Sequence, residues 1–346
     1  MKKTIFYLIT ILLVGFIIET GSFISIKIYS LLSSSEKKNL ENNKYIYETD
    51  ILEKKSYHAF YGWKGLYSNK NKYKSRESII NKKWNKNDYI YFFGGSTMIG
   101  AGVNFKGTIP SHAAKLDHHY QPINLGEHGW VSGQSLNRMI EIIDDIKKGD
   151  HVIFYDGVND TFVNCNLLNG PNGHSEVKYF RDILQNENNF FYRKLTNLFL
   201  NTNTAQFLNG AINKVFKINL KEDNMLKNYG CADSNYSLEV AKTLIRHWKS
   251  AETLINSKGA KFSCILQPNP YTAKFKTIHP SRKIWKLSIQ DVYPNIEKLA
   301  KELDCFHNLS DAFDKDYYTD WCCHVSSNGN KFLARKIIDK VMARTK

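Results

Sequence analysis

Three short apolar runs constrain the fold of this chain more than any other feature. They are Tyr89-Ile90-Tyr91-Phe92-Phe93, His151-Val152-Ile153-Phe154-Tyr155 and Lys261-Phe262-Ser263-Cys264-Ile265-Leu266. Each has the length of a strand, is apolar on both faces and is bounded by turn formers, Gly94-Gly95 after the first and Gly157 after the second. That pattern predicts strands buried on both sides. Helical spacing fills the intervals. Gly133 to Lys147 carries Leu136, Met139, Ile140, Ile143 and Ile146, and Ser237 to Ser257 carries Val240, Leu244, Trp248 and Leu254. Asn330 to Met342 reads as a closing amphipathic helix. Strands alternating with helices predict a parallel sheet covered on both faces. Such sheets collect ligands at the carboxyl ends of their strands.

The N-terminus reads differently. Met1-Lys2-Lys3 precedes an apolar stretch from Thr4 to Ile18, and apolar character resumes after Glu19 from Gly21 to Ile28. A helix from Thr4 to Ile26 would suffice for a bilayer, which needs about 20 residues. No small-x-small cleavage site follows, so residues 1–32 are read as an uncleaved transmembrane signal anchor, a cleaved signal peptide being the alternative. The short tail would stay in the cytoplasm, leaving a single-pass protein whose main domain is extracytoplasmic. Residues 33–57 open with the polar run Ser33-Ser34-Ser35-Glu36-Lys37-Lys38 and read as a stalk. The main domain then occupies 58–346. Its rhythm is broken at about 161–235, an Asn- and aromatic-rich insertion that would serve as a lid, a substrate platform or a plain surface excursion.

Composition narrows the function classes. With 42% hydrophobic and 23% charged residues the chain is globular rather than disordered. The net charge of +15 comes from Lys spread along the whole length, with no dense basic tract interleaved with aromatics. No nucleic-acid partner is expected. The six cysteines form no C-x-x-C pair. An exported domain with an even count permits disulfides without requiring them. Cys264, inside a strand-like run, reads as a small buried apolar residue. Asp156 and Asp160 flank Asn159 and superficially resemble a metal pair, but no His/Asp spacing elsewhere completes a metal site, and no cofactor is expected.

The unusual polar residues fall where the sheet would present them. Ser96 follows the first strand and two glycines, in Phe93-Gly94-Gly95-Ser96-Thr97-Met98. Glycines there allow a tight turn and leave room beside the hydroxyl. The string is not the Gly-x-Ser-x-Gly elbow, because Met98 replaces the second glycine. Gly129 lies in Asn124-Leu125-Gly126-Glu127-His128-Gly129-Trp130, after a short strand, with its neighbour His128 read as a surface residue. Asn159 lies in Tyr155-Asp156-Gly157-Val158-Asn159-Asp160 and would turn an amide into the same crevice. In Asp320-Trp321-Cys322-Cys323-His324, just before the last helix, His324 would act as base and Asp320 would orient it.

These four segments, in this order, resemble the SGNH hydrolases, also called GDSL-type esterases, over roughly residues 88–342. The resemblance implies a flavodoxin-like three-layer α/β/α sandwich. It also implies Ser96 as nucleophile, His324 and Asp320 as its partners, and an oxyanion hole from the N–H groups of Ser96 and Gly129 and the amide of Asn159. One departure stands out: the family separates Asp and His by two residues, whereas three separate Asp320 from His324. A one-residue bulge would restore the geometry; otherwise a backbone carbonyl would orient His324. The function expected is removal of acyl groups, O-acetyl above all, from a cell-surface carbohydrate. O-acetyl transfer by the same residues is the first alternative. A non-catalytic polysaccharide-binding or assembly protein is the second, resting on the Asp–His spacing alone.

Overall fold

In the computed structural model the three apolar runs are neighbouring parallel strands. The structure describes residues 2–37, 55–65, 72–178, 180–181, 202–205, 207–208, 225–279 and 281–343. It comprises two units, one of residues 1–44 with 179–224, the other of residues 45–178 with 225–346.

The larger unit is a sheet covered on both faces. Its strands are β3 (Tyr89–Gly94), β4 (Gln121–Asn124), β5 (His151–Asp156), β6 (Lys261–Leu266) and β7 (Phe306–Asn308), in spatial order β4-β3-β5-β6-β7. All four pairings are parallel. Successive residues of a strand point to opposite faces. Tyr91, Phe93, Val152 and Phe154 therefore enter one core, with Met139, Trp248 and Ile289 from helices α4 (Ser132–Glu141), α6 (Ser234–Ser257) and α7 (Lys283–Ala300). Ile90, Phe92, Ile153 and Tyr155 enter the other, with Ile109 from α3 (Ile109–Ala113) and Leu333, Ile337 and Val341 from α8 (Ser327–Ala343). Most of these side chains are fully buried, each contributing roughly 1.5–3 kcal/mol by leaving water.

This strand order is the flavodoxin-like one, and its direction reverses between β3 and β5. The crevice at that reversal is where the short helices α2 (Ser96–Ile99) and α5 (Val158–Asn164) begin. The helix expected over 133–147 stops at Glu141 and continues as a 3-10 turn at Ile143–Asp145. The sequence pattern did not reveal β7, α7, or the antiparallel hairpin of β1 (Lys55–His58) and β2 (Gly62–Gly65). That hairpin begins within what reads in sequence as stalk.

The neck of the 161–235 segment is stapled. Cys165 and Cys231 form a disulfide, beside paired backbone at Asn166 and Tyr229. Leu167 N–H donates to Asn228 at 2.9 Å and Gly230 N–H donates to Cys165 at 2.8 Å. Most of what lies between, where a lid or platform was expected, falls outside the described residues.

In the smaller unit, α1 runs from Lys2 to Lys37, so the expected stalk begins helical. Glu19 accepts hydrogen bonds from the backbone N–H groups of Asn203 (2.6 Å) and Thr204 (3.0 Å) and from both of their side chains. The expected membrane span between Thr4 and Ile26 is not found: among the described residues, no helix is long and apolar enough to cross a membrane.

Candidate active site

Strand β3 ends on Gly94, and Gly95 caps the four-residue helix α2. Ser96 is the first residue of that helix, where backbone N–H groups have no partner within the helix. A Cβ on Gly95 would lie 2.3 Å from Asn159 Nδ2, so only glycine lets that amide come so close to the serine. Asn159 sits in the first turn of α5, and its Nδ2 donates one proton to Trp130 O at 2.8 Å. The second proton of the amide remains for a ligand.

The loop carrying Gly129 is held by the hairpin. Trp63 Nε1 donates to His128 O at 3.0 Å, and Trp130 Nε1 donates to Trp63 O at 3.1 Å. Glu127, 2% exposed, accepts from Gly65 N–H at 2.7 Å and from His128 N–H at 2.9 Å. Gly129 adopts φ +70°, the left-handed region, which turns its peptide where a side chain would be strained. His128, read from sequence as a surface residue, is half-buried.

Ser96 Oγ lies 2.7 Å from His324 Nε2, and His324 Nδ1 is hydrogen-bonded to Asp320 Oδ2. The three-residue separation is absorbed by the Asp320 carboxylate itself. Its Oδ1 accepts from the N–H groups of Cys322 (2.9 Å), Cys323 (3.1 Å) and His324 (3.3 Å), curling the chain into one tight turn. The ends of that turn are pinned by the Tyr318–Val325 bridge and by Thr319 N–H donating to His324 O at 2.9 Å. No bulge in a strand is involved, and the carboxylate, not a backbone carbonyl, orients the ring.

Electrostatics follow from this packing. Burial alone pushes the His324 imidazolium toward losing its proton. The Asp320 hydrogen bond and the nearby Cys323 and Asp320 charges outweigh it and raise the pKa to about 9. Burial likewise pushes Asp320 up. Its hydrogen bond to His324, the charge of that ring and the N–H groups of Cys322 and Cys323 hold it below its ordinary range. The Cys323 thiol is pushed up by burial and pulled down further by Cys322, by the charge of His324 and by the Thr97 hydroxyl, ending below its usual value.

Aromatic residues flank the turn. Trp321 meets Trp285 edge-on at 5.2 Å, Phe162 stacks on Trp285 at 3.8 Å, and the Arg282 guanidinium lies 5.2 Å over Trp321. Tyr271 Oη donates to Trp321 O at 2.6 Å. Asp156 and Asp160 are engaged by Trp248 and Ser132, and no group of three potential metal ligands occurs among the described residues.

No family model and no curated protein matches the chain. Solved structures show distant likeness. A GDSL-family lipolytic protein from Veillonella parvula is 14% identical at TM-score 0.40, covering 73% of this chain and 97% of that one. The YxiM protein of Bacillus subtilis is 16% identical at TM-score 0.39, covering 75% and 57%. An extracellular lipase from Streptomyces rimosus is 13% identical at TM-score 0.38, covering 72% and 99%. At such distance, function is read from the site itself.

Proposed function

We propose that this chain is a serine-dependent ester hydrolase of the SGNH type. The observation that carries the reading is the contact of 2.7 Å between Ser96 Oγ and His324 Nε2, with Asp320 on the far nitrogen of the ring. Neutral His324 takes the Ser96 proton as the oxygen attacks an ester carbonyl. Asp320 fixes the tautomer and balances the imidazolium that forms. The second N–H of Asn159, with the N–H groups of Ser96 and Gly129, receives the oxyanion. His324 then protonates the leaving alcohol, and water resolves the acyl-enzyme.

The substrate proposed is an O-acetylated carbohydrate at the cell surface. The Cys165–Cys231 disulfide supports the location, because it fits an oxidising, extracytoplasmic compartment. Attachment to the membrane through α1 belongs to the same proposal. Its support is the run Leu13, Val14, Phe16, Ile17 and Ile18, each at least half exposed on a helix. Acyl transfer to a sugar hydroxyl uses the same groups and differs only in what enters after the leaving alcohol. The non-catalytic reading rested on the Asp–His spacing and keeps no observation now that Asp320 bonds His324.

The test is active-site labelling. An alkyl fluorophosphonate should modify the full chain once and leave Ser96→Ala unmodified. Equal labelling of the variant, or none of the wild type, overturns the assignment. Mass spectrometry of an acetylated oligosaccharide after incubation should show acetyl groups lost. Acetyl groups gained from a donor would instead identify the transferase.

A further inference from the structure

Behind the oxyanion groups lies a buried polar cluster that the proton transfers do not use. Ser132 is 0% exposed and Asp160 3% exposed, and His247 reaches them from α6. Asp160 follows Asn159 directly, and Ser132 lies three residues beyond Gly129. Asp160 Oδ1 accepts from the Ser132 backbone N–H at 2.8 Å and from the Ser132 hydroxyl at 2.5 Å. Its Oδ2 accepts from Gly157 N–H at 3.2 Å. One carboxylate thus grips the start of α4, which closes the Gly129 loop, and the start of α5, which carries Asn159.

The proton assignments follow from counting donors. Ser132 has a single hydroxyl proton, and the 2.5 Å contact commits it to the carboxylate. Ser132 Oγ is also 2.8 Å from His247 Nδ1, so that ring nitrogen carries a proton and donates. The chain runs from His247 N–H to the Ser132 hydroxyl to Asp160. The contact depends on Gly133, where a Cβ would stand 3.0 Å from His247 Cε1. The set looks like a second serine triad, but Ser132 is fully buried and cannot meet an ester.

We infer that Asp160, Ser132 and His247 are positioning residues that set the oxyanion hole, by fixing the gap between the Gly129 loop and the Asn159 amide. Asn159 spends one N–H across that same gap, on Trp130 O. Widening the gap swings the other N–H away from Ser96. Oxyanion contacts mature only in the transition state, so the loss appears in kcat and not in KM.

The inference rests on the serine-esterase reading, and the test separates the two. Full-length wild type is first labelled with a fluorophosphonate and assayed with p-nitrophenyl acetate; failure of both removes the esterase reading and this inference together. With wild type active, Ser132→Ala and His247→Leu are expected to lower kcat about 10- to 100-fold, a fraction of the cost of deleting an oxyanion donor outright. KM should stay within about twofold, and affinity for phenylboronic acid, which forms a tetrahedral adduct, should fall in parallel. His247→Asn keeps an N–H donor near the Nδ1 position and should recover most of the rate. Unchanged kcat in Ser132→Ala and His247→Leu overturns the inference. So does a rise in KM alone, or an equal loss in His247→Asn and His247→Leu, since a purely structural role would not distinguish the two.

Discussion

At the scale of single residues, the proposed mechanism makes the charge of His324 decide when the site can work. A protonated ring cannot accept the Ser96 proton, and its pKa is raised to about 9. The acid limb of kcat/KM should therefore climb about tenfold per pH unit through neutrality and level off near 9. The same shift stabilises the folded state below the ordinary histidine value of 6.5, and that gain is lost as pH rises through about 9. Asp320→Asn removes the charge that holds the proton and puts an amide donor where a carboxylate accepted, so the limb should move to lower pH while kcat falls about 10³- to 10⁴-fold from loss of tautomer control. Cys323→Ser removes a second source of the upward shift and should move the limb the same way with a far smaller loss in plateau rate. pH-rate profiles of the three proteins check both expectations, and coincident acid limbs would contradict them. Asn159→Ala should cost about 10²- to 10³-fold in kcat, read with a simple aryl ester.

At the scale of elements, the site depends on where two strands stop. The β3 and β5 runs were legible from composition because both faces are apolar, and their ends delivered Ser96 and Asn159 to one crevice. The two shortest strands and the hairpin were harder to see. β7 has three residues, none of them fully buried, and β1–β2 carries Trp63 and Tyr61 among polar neighbours without a regular alternation. No local pattern announces that Trp63 will brace the Gly129 loop, because the contact spans 65 positions of sequence. The Asp–His spacing misled for a related reason. Residue counting assumes one turn type, whereas three N–H groups folding onto Asp320 make room for the extra residue. Of the six cysteines, the pair Cys165–Cys231 could not be picked out by spacing, since pairing depends on which segment ends meet. Opening that bridge with Cys165→Ser should cost roughly 2–5 kcal/mol, seen as a lower urea midpoint under oxidising conditions. An unchanged midpoint would mean the neck is held by its backbone pairs alone.

At the scale of the whole molecule, the chain joins an α/β unit with a triad-like site to a unit built on a long N-terminal helix. Membrane attachment is tested by fractionation. The full chain should sediment with membranes, and recovery in the soluble fraction would contradict attachment through α1. The central claim, that Ser96 carries the acyl group, is tested most directly by trapping it. The full chain is mixed with p-nitrophenyl acetate, quenched in acid during turnover and digested, and the peptides are weighed. One acetyl group is expected on the peptide containing Ser96, absent from Ser96→Ala and accumulating more slowly in His324→Ala. Acetyl on another residue, or undiminished turnover by Ser96→Ala, would contradict the account.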